Sequence, residues 1–335
     1  MSQFLCAVVP IIGPQLAVVG NRGLVHARVS AIGSRGFNKA VCREVETMGI
    51  DLNHLREWVG KSQTQRERLH PFPANALSAT LDRDDPLYED GASLPPLWQW
   101  LHFLPVFKMS DCGEDGHAAL GGFLPPVPLA GRMWAGSRLE FHAPMTIGNT
   151  LTKTSTVRSV DHKSGRSGDL VFVTVNHRIE DRETLLIDEE HDIVYRAPPP
   201  PGTQAPPPKP APEISAFSRT IDPNPVLLFR FSALTFNGHR IHYDWRHATA
   251  AEGHAGLIVH GPLLAILLLD LLHREMPNAT ITEFEFRATA PVYEDHEFTV
   301  HGAPAPGGET IDLWVRRHDG ALAMKASAQI GEPQL

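Results

Sequence analysis

The stretch GLIVHGPLLAILLLDLLHRE, residues 256–275, has the spacing of a helix but no polar face. Its apolar side chains cover most of the circumference, so the fold must enclose it on nearly every side. The apolar run is too short to cross a bilayer. Pro277 supplies a stop just beyond it. Downstream, ITEFEFRATAPVYEDHEFTVHG, ETIDLWVRRHD and LAMKASAQI are strand-rich segments bounded by turn residues. One buried helix followed by an antiparallel meander predicts an α+β unit in which a sheet wraps the helix.

The same pattern occurs earlier. RLEFHAPMTIGNTLTKTSTVRSV, DLVFVTVNHRIED and TLLIDEEHDIVYR are β-branched segments separated by Gly, Asn and Asp. LEFHAPMTIGNTLT (139–152) and FEFRATAPVYEDHEFT (284–299) both place Ala-Pro after a strand, eight residues before a closing Thr. That pairing points to an internal duplication. Between the two regions lies APPPPGTQAPPPKPAPE, with nine prolines in seventeen residues. It predicts an extended, semi-rigid spacer. The expected organisation is therefore residues 48–196 as a first unit, 197–214 as linker and 215–335 as a second unit.

Residues 1–47 differ in composition. Up to Arg43 they carry Arg22, Arg28, Arg35, Lys39 and Arg43 and no acidic residue. They read either as an Arg-rich transit peptide or as a segment upstream of a true start at Met48. The first alternative implies a mitochondrial matrix protein and the second a cytoplasmic one. Three cysteines, none paired at metal spacing, fit a reducing compartment better than a disulfide framework. Net charge is −8, which argues against bulk attraction to nucleic acid or an anionic membrane. An anionic ligand would need a local basic cluster.

LTFNGHRIHYDWRHAT, residues 234–249, supplies one. With RIHYD read as extended chain, alternation puts Arg240, His242 and Asp244 on one side. His242 can move a proton near neutral pH. Asp244 can fix its tautomer, and Arg240 can hold a phosphate or carboxylate. Asn237 can orient water or a carbonyl but cannot exchange a catalytic proton. His239 is either pocket wall or acid–base partner. Twenty residues on, free backbone N–H groups at the helix start near His260 and Gly261 form a candidate oxyanion site. His239 and His242 could ligate a metal only if helical. With no second cluster apparent to complete a site, no metal is expected.

FSALTFNGHRIHYD followed by GLIVHGPLL resembles the MaoC-like hydratases (hydratase 2) and the type 2 3-hydroxyacyl-thioester dehydratases. GGFLPPVPLAGRMWAGSRLEFHAPMTIGNTL and KSGRSGDLVFVTVNH in the first half resemble a narrower branch, the mesaconyl-C4-CoA and 3-methylfumaryl-CoA hydratases. The resemblance runs from about residue 50 to residue 330. It implies a double hotdog, two antiparallel sheets each wrapped around a central helix, with catalysis in the second half. It also implies reversible addition of water across the α,β double bond of an enoyl-CoA, of a branched C5 dicarboxylic type. No cofactor is implied beyond the coenzyme A of the substrate. The usual hydratase motif, Asp-x-Asn-Pro-x-His-x-Asp, puts the catalytic His on His242 and the last Asp on Asp244. The catalytic Asp falls on Asn237, and the Asn-Pro pair on His239-Arg240. One of the two expected acid–base groups is therefore replaced by an amide, which leaves His239 or Asp244 as alternatives for the second role. Arg240, Arg230, Arg246 and His239 become candidates for holding the substrate.

Three alternatives stay open at this level: a 3-hydroxyacyl-thioester dehydratase of fatty acid synthesis, a hotdog thioesterase, and a non-catalytic acyl-CoA-binding subunit. GRMWAGSR either is structural or shapes the acyl pocket. The expected partner is the acyl-CoA itself; a pseudo-dimer of two halves can act alone or pair again as a homodimer.

Overall fold

The computed structural model describes residues 49–165, 168–197 and 207–331. The expectations for residues 1–47 fall outside these residues, as does most of the proline-rich segment.

In the first half, β1 (Ser62–Arg68) is followed by α2 (Pro71–Thr80) and then by β2 (Gly131–Phe141), β3 (Thr150–Gly165), β4 (Gly168–Asp181) and β5 (Thr184–Arg196). A short helix, α1 (Leu52–Arg56), precedes them. The second half repeats this order. It has β6 (Phe217–Ile221), α3 (Pro225–Leu234), α4 (Gly261–Glu275), β7 (Thr280–Ala288), β8 (Phe298–Pro304), β9 (Thr310–Arg316) and β10 (Leu322–Gly331).

All pairs are antiparallel, and the order is β1-β3-β4-β5-β2-β7-β10-β9-β8-β6. Read outward from the β2–β7 seam, the two halves match strand for strand. The duplication extends to single bonds. His142 and Ala143 both donate their backbone N–H to Leu186 O, and Thr289 and Ala290 both donate to Ala323 O. The two expected sheets are thus joined into one ten-stranded sheet. The seam leaves neither β2 nor β7 as an open edge.

The apolar helix is α4, and every residue from Leu263 to Leu272 is buried. It packs on β6, β8, β9 and β10, the hotdog arrangement. The helix begins at Gly261, five residues after the apolar run does. Residues 257–259 are extended instead: Ile258 bridges Tyr293, and Val259 N donates to Val292 O. The first half has only the ten-residue α2 in the corresponding place in the chain, packed against α3. One large core includes α4 and residues of both halves; a smaller one lies among β3, β4, β5 and α1. The end of the proline-rich segment is not a free spacer. Lys209 O accepts from Leu322 N, and Ala211 N donates to Gly320 O. No helix among the described residues is long and apolar enough to cross a membrane.

Asp270 is the one charged residue buried on α4. Arg219 Nη1 approaches it at 2.6 Å, Arg274 Nε at 2.8 Å and Arg83 Nη1, from the first half, at 2.5 Å. Removing a buried partner leaves uncompensated cations and costs about 3–5 kcal/mol. Asp270→Ala is therefore expected to lower the unfolding free energy by that amount in a urea titration. Asp84→Ala, exposed nearby, should leave it within about 0.5 kcal/mol.

Candidate active site

The site grows from the chain between α3 and α4. Asn224 caps α3, its Oδ1 accepting from Val226 N and Leu227 N, and Pro225 opens the first turn. After α3, Phe236 takes a left-handed conformation (φ 48°) and turns the chain back. Asn237 Oδ1 then accepts from His239 N at 2.9 Å, a side-chain-closed turn. Arg240–His242 form a single 3₁₀ turn, and His247–Ala251 a π-helical turn.

This corrects the extended reading of RIHYD. Apolar and polar residues alternate there by chance, but the Asn237 turn and the Arg240–Asp244 pair at 2.8 Å wind the segment up. Asp244 therefore does not share a face with His242. It accepts from Arg240 and from His247 N at 3.0 Å, which makes it a cap. Arg240 also donates to Glu114 O of the first half, so its guanidinium ties loops together.

His242 is buried, and its Nδ1 lies 2.7 Å from Ile258 O. That contact requires Nδ1 to be the donor, which leaves Nε2 as a free acceptor. Burial, with the neighbouring His239, His117 and His254, pushes its pKa down to about 3 against the raising effect of the Ile258 bond, so the ring is neutral. His260 stacks on it at 3.6 Å between centroids. Its Nε2 meets Ser232 Oγ at 2.8 Å, and burial pushes its pKa well down too.

α4 starts at this point. Gly261 and Leu263 N–H have no acceptor inside the helix, and Pro262 has no N–H. Nothing lies within 4 Å of the place a Gly261 Cβ would occupy, so the helix start is open on that side. Asn237 makes no hydrogen bond to His242. Arg230 and Arg246 are exposed and form no ion pair among the described residues. Phe229, Phe236, Tyr243 and Trp245, on the same segment, are exposed as well.

Two residues missing from the sequence reading stand beside this group. A loop of the first half, residues 111–118, docks on the 237–240 turn: Arg240 N donates to Asp115 O at 2.8 Å. Gly116 (φ +93°) and Gly238 meet backbone to backbone. The dock places the His117 ring 4.1 Å from that of His239, which is 5.5 Å from His242. His117 Nδ1 lies 2.9 Å from Asp115 Oδ2, and its backbone N–H donates to Asp115 Oδ1. Although burial pushes Asp115 up, these bonds hold its carboxyl well below the usual range. On the other side of His239, Glu252 lies 3.8 Å away and also faces His247 and His254. The only sequence signal for the dock was the Gly-flanked pair in GEDGH. Asp115, His117 and His239 offer ligand atoms within 4.8 Å of one another, which an ion could bridge. Asp115 and His117, however, already spend both carboxylate oxygens and Nδ1 on each other.

The sheet-wrapped helix gives the hotdog fold, and a neutral imidazole at its start is the kind of acid–base group the hydro-lyase class of that fold uses. The chain belongs to that class through one family: residues 97–294 match hydroxyacyl-thioester dehydratase type 2. It is 44% identical over 277 residues to mesaconyl-C(4)-CoA hydratase of Chloroflexus aurantiacus, covering 82% of this chain and 97% of that one. Among solved structures, a MaoC-like dehydratase from Phytophthora capsici superposes with a TM-score of 0.60 at 13% identity, covering 84% of this chain and 99% of that one. A double-hotdog protein of Mycobacterium tuberculosis gives 0.51 at 16%, covering 82% and 96%. These two carry the fold only.

A methyl group at Gly116 would collide with the carbonyl of Gly238. Left-handed backbone adds about 1–2 kcal/mol for any other residue. Gly116→Ala is expected to lower kcat/KM at least tenfold and to lower the melting temperature. Gly122→Ala, with open space around it, should change neither.

Proposed function

We propose that this protein hydrates an enoyl-CoA reversibly, and that its substrate is a branched C5 dicarboxylic acyl-CoA of the mesaconyl-C4-CoA type. The observation that carries the chemistry is the fixed tautomer of His242. With Nδ1 committed to Ile258 O, its Nε2 is a lone-pair acceptor held beside the α4 start. The identity to the Chloroflexus enzyme supports the acyl group.

In this reading the second half, residues 215–335, carries the chemistry and residues 48–196 complete its walls. The thioester carbonyl accepts from the N–H groups at Gly261 and Leu263, which stabilise the enolate oxygen as charge develops. His242 Nε2 takes a proton from water as its oxygen bonds to the β-carbon. The α-carbon then receives a proton. His260 stacks against His242 and holds the ring's plane, anchored through Ser232. Asn237 shapes the turn that carries His239. Arg230 and Arg246, exposed beside Tyr243 and Trp245, are suited to the phosphates and adenine of coenzyme A.

The test is to mix the full-length protein with mesaconyl-C4-CoA, and separately with crotonyl-CoA, and follow the enoyl-thioester absorbance. A thiol reagent is included in a parallel sample. Loss of absorbance without free thiol, faster for the dicarboxylic substrate, is expected. His242→Ala should reduce kcat by about 10²–10⁴-fold, the range for removing an acid–base group. Released thiol would make the protein a thioesterase instead. Binding without turnover would make it an acyl-CoA-binding subunit.

A further inference from the structure

The hydration step needs two proton transfers, one from water and one to the α-carbon. Asn237 can perform neither. The geometry points to His117, contributed by the first half and held by Asp115, as the second acid–base group, delivering the proton to the α-carbon while His242 takes the proton from water. This rests on the hydratase reading above and names the group that reading lacks.

Four observations carry it. First, Asp115 engages His117 Nδ1 at 2.9 Å, so Nε2 is the free, exchanging nitrogen. That is the orientation logic of any carboxylate-held catalytic imidazole. Second, Nε2 has no hydrogen-bond partner among the described residues, and the side chain keeps 26% exposure. Third, the loop is locked in place. The Gly116–Gly238 contact and the Arg240 N to Asp115 O bond fix it on the turn that bears His239 and His242. Fourth, the two imidazoles have opposite partners. His242 donates to a neutral carbonyl and His117 to an ionised carboxylate.

An imidazolium is favoured by a carboxylate far more than by a carbonyl. When two titratable groups are pushed apart in this way, the more basic one carries the acid role and the other the base role. The groups around His117 keep that order but not a high pKa. Burial, with the charges of Arg132 from β2 and of His239, outweighs the Asp115 bond, so His117 lies below the ordinary histidine value. His242, without a carboxylate, is driven down to about 3.

The cycle balances. The active form carries His117 as imidazolium and His242 as neutral imidazole, a form that the lowered His117 pKa makes more abundant toward acid pH. Water gives one proton to His242 Nε2, and its oxygen forms the bond to the β-carbon. The π electrons move to the thioester oxygen as an enolate. The enolate collapses, and the α-carbon takes the proton of His117 Nε2. The proton on His242 then returns to His117 by way of His239, whose ring lies between them. Dehydration runs the same steps backwards. Each direction needs one proton shared by the pair, so both share the same limbs in their pH profiles.

The experiment is steady-state hydration of mesaconyl-C4-CoA by full-length wild type, His117→Gln and Asp115→Asn across a range of pH, with melting temperatures recorded. His117→Gln should lose about 10²–10³-fold in kcat with KM changed less than threefold, and its alkaline limb should disappear. Asp115→Asn removes the group that raises the His117 pKa, so its alkaline limb should move to lower pH, with kcat reduced at least tenfold. Asp115→Asn also serves as the deciding variant if His117→Gln does not fold. The proposal is overturned if either folded variant keeps more than a third of wild-type kcat, or if the loss lies only in KM with an unmoved limb. Activity abolished by a chelator would overturn it too, in favour of an ion held by Asp115, His117 and His239. If wild type hydrates no enoyl-CoA, it is the hydratase reading itself that fails.

Discussion

Five residue pairs between β2 and β7, from Gly136 opposite Arg287 to Glu140 opposite Glu283, hold the two halves in one sheet. Gly136 sits at a bulge in β2, and a side chain there would strike the carbonyl of Phe286. The strand therefore needs glycine at the seam. Trp134, two residues earlier, turns its ring onto Trp100, Phe286 and His191. This explains GRMWAGSR as a seam motif. Once the sheet is continuous, everything that crosses between halves has a defined partner. Arg83 reaches Asp270 beneath α4, and the 111–118 loop reaches the 237–240 turn. The candidate site therefore belongs to neither half alone.

What the chain disclosed in advance follows physical period. A helix apolar on all sides, paired β-branched runs and a repeated Ala-Pro corner are local patterns with long-range consequences, and each appears in the predicted region, the helix starting five residues late. The segment 240–251 was not legible because it is governed by side-chain-to-backbone bonds rather than by hydrophobic period. Asn237 closes one turn and Asp244 caps the next, so the chain coils where its alternation suggests a strand. α3 was announced only by Asn224-Pro225, a cap signal without a strong amphipathic run behind it. Asp115 and His117 were beyond reach for a different reason. Arg240 and Glu114 meet across 126 residues of chain, and no local pattern encodes such a meeting.

The electrostatic arrangement that results has a simple logic. His260, His242, His239 and His117 run ring to ring from the start of α4 to the docked loop. Asp115 stands at the outer end and Glu252 beside the middle. Their carboxyls are held ionised: Glu252 is driven well down mainly by His239 and His254, and Asp115 is held down by His117 against its burial. His242 and His260 are buried and neutral. A proton entering this line meets the positive end of α4 at one side and carboxylates at the other. It is repelled from the carbonyl-binding end and attracted to the first-half loop.

That gradient separates the two demands hydration makes. The enolate oxygen needs partial positive charge that never transfers, a role for which the proposed reading uses the N–H groups of α4. The carbon atoms need a proton that does transfer, and it must be held far enough from the helix start to stay available. Aspartate at position 237 would set its charge directly in the turn, close to the ring it serves. Asparagine there keeps the turn, through the bond to His239 N, while leaving the charge to a second loop. A duplicated fold can make that exchange, because the half without a long helix among the described residues still carries a loop that closes on the other half's candidate site.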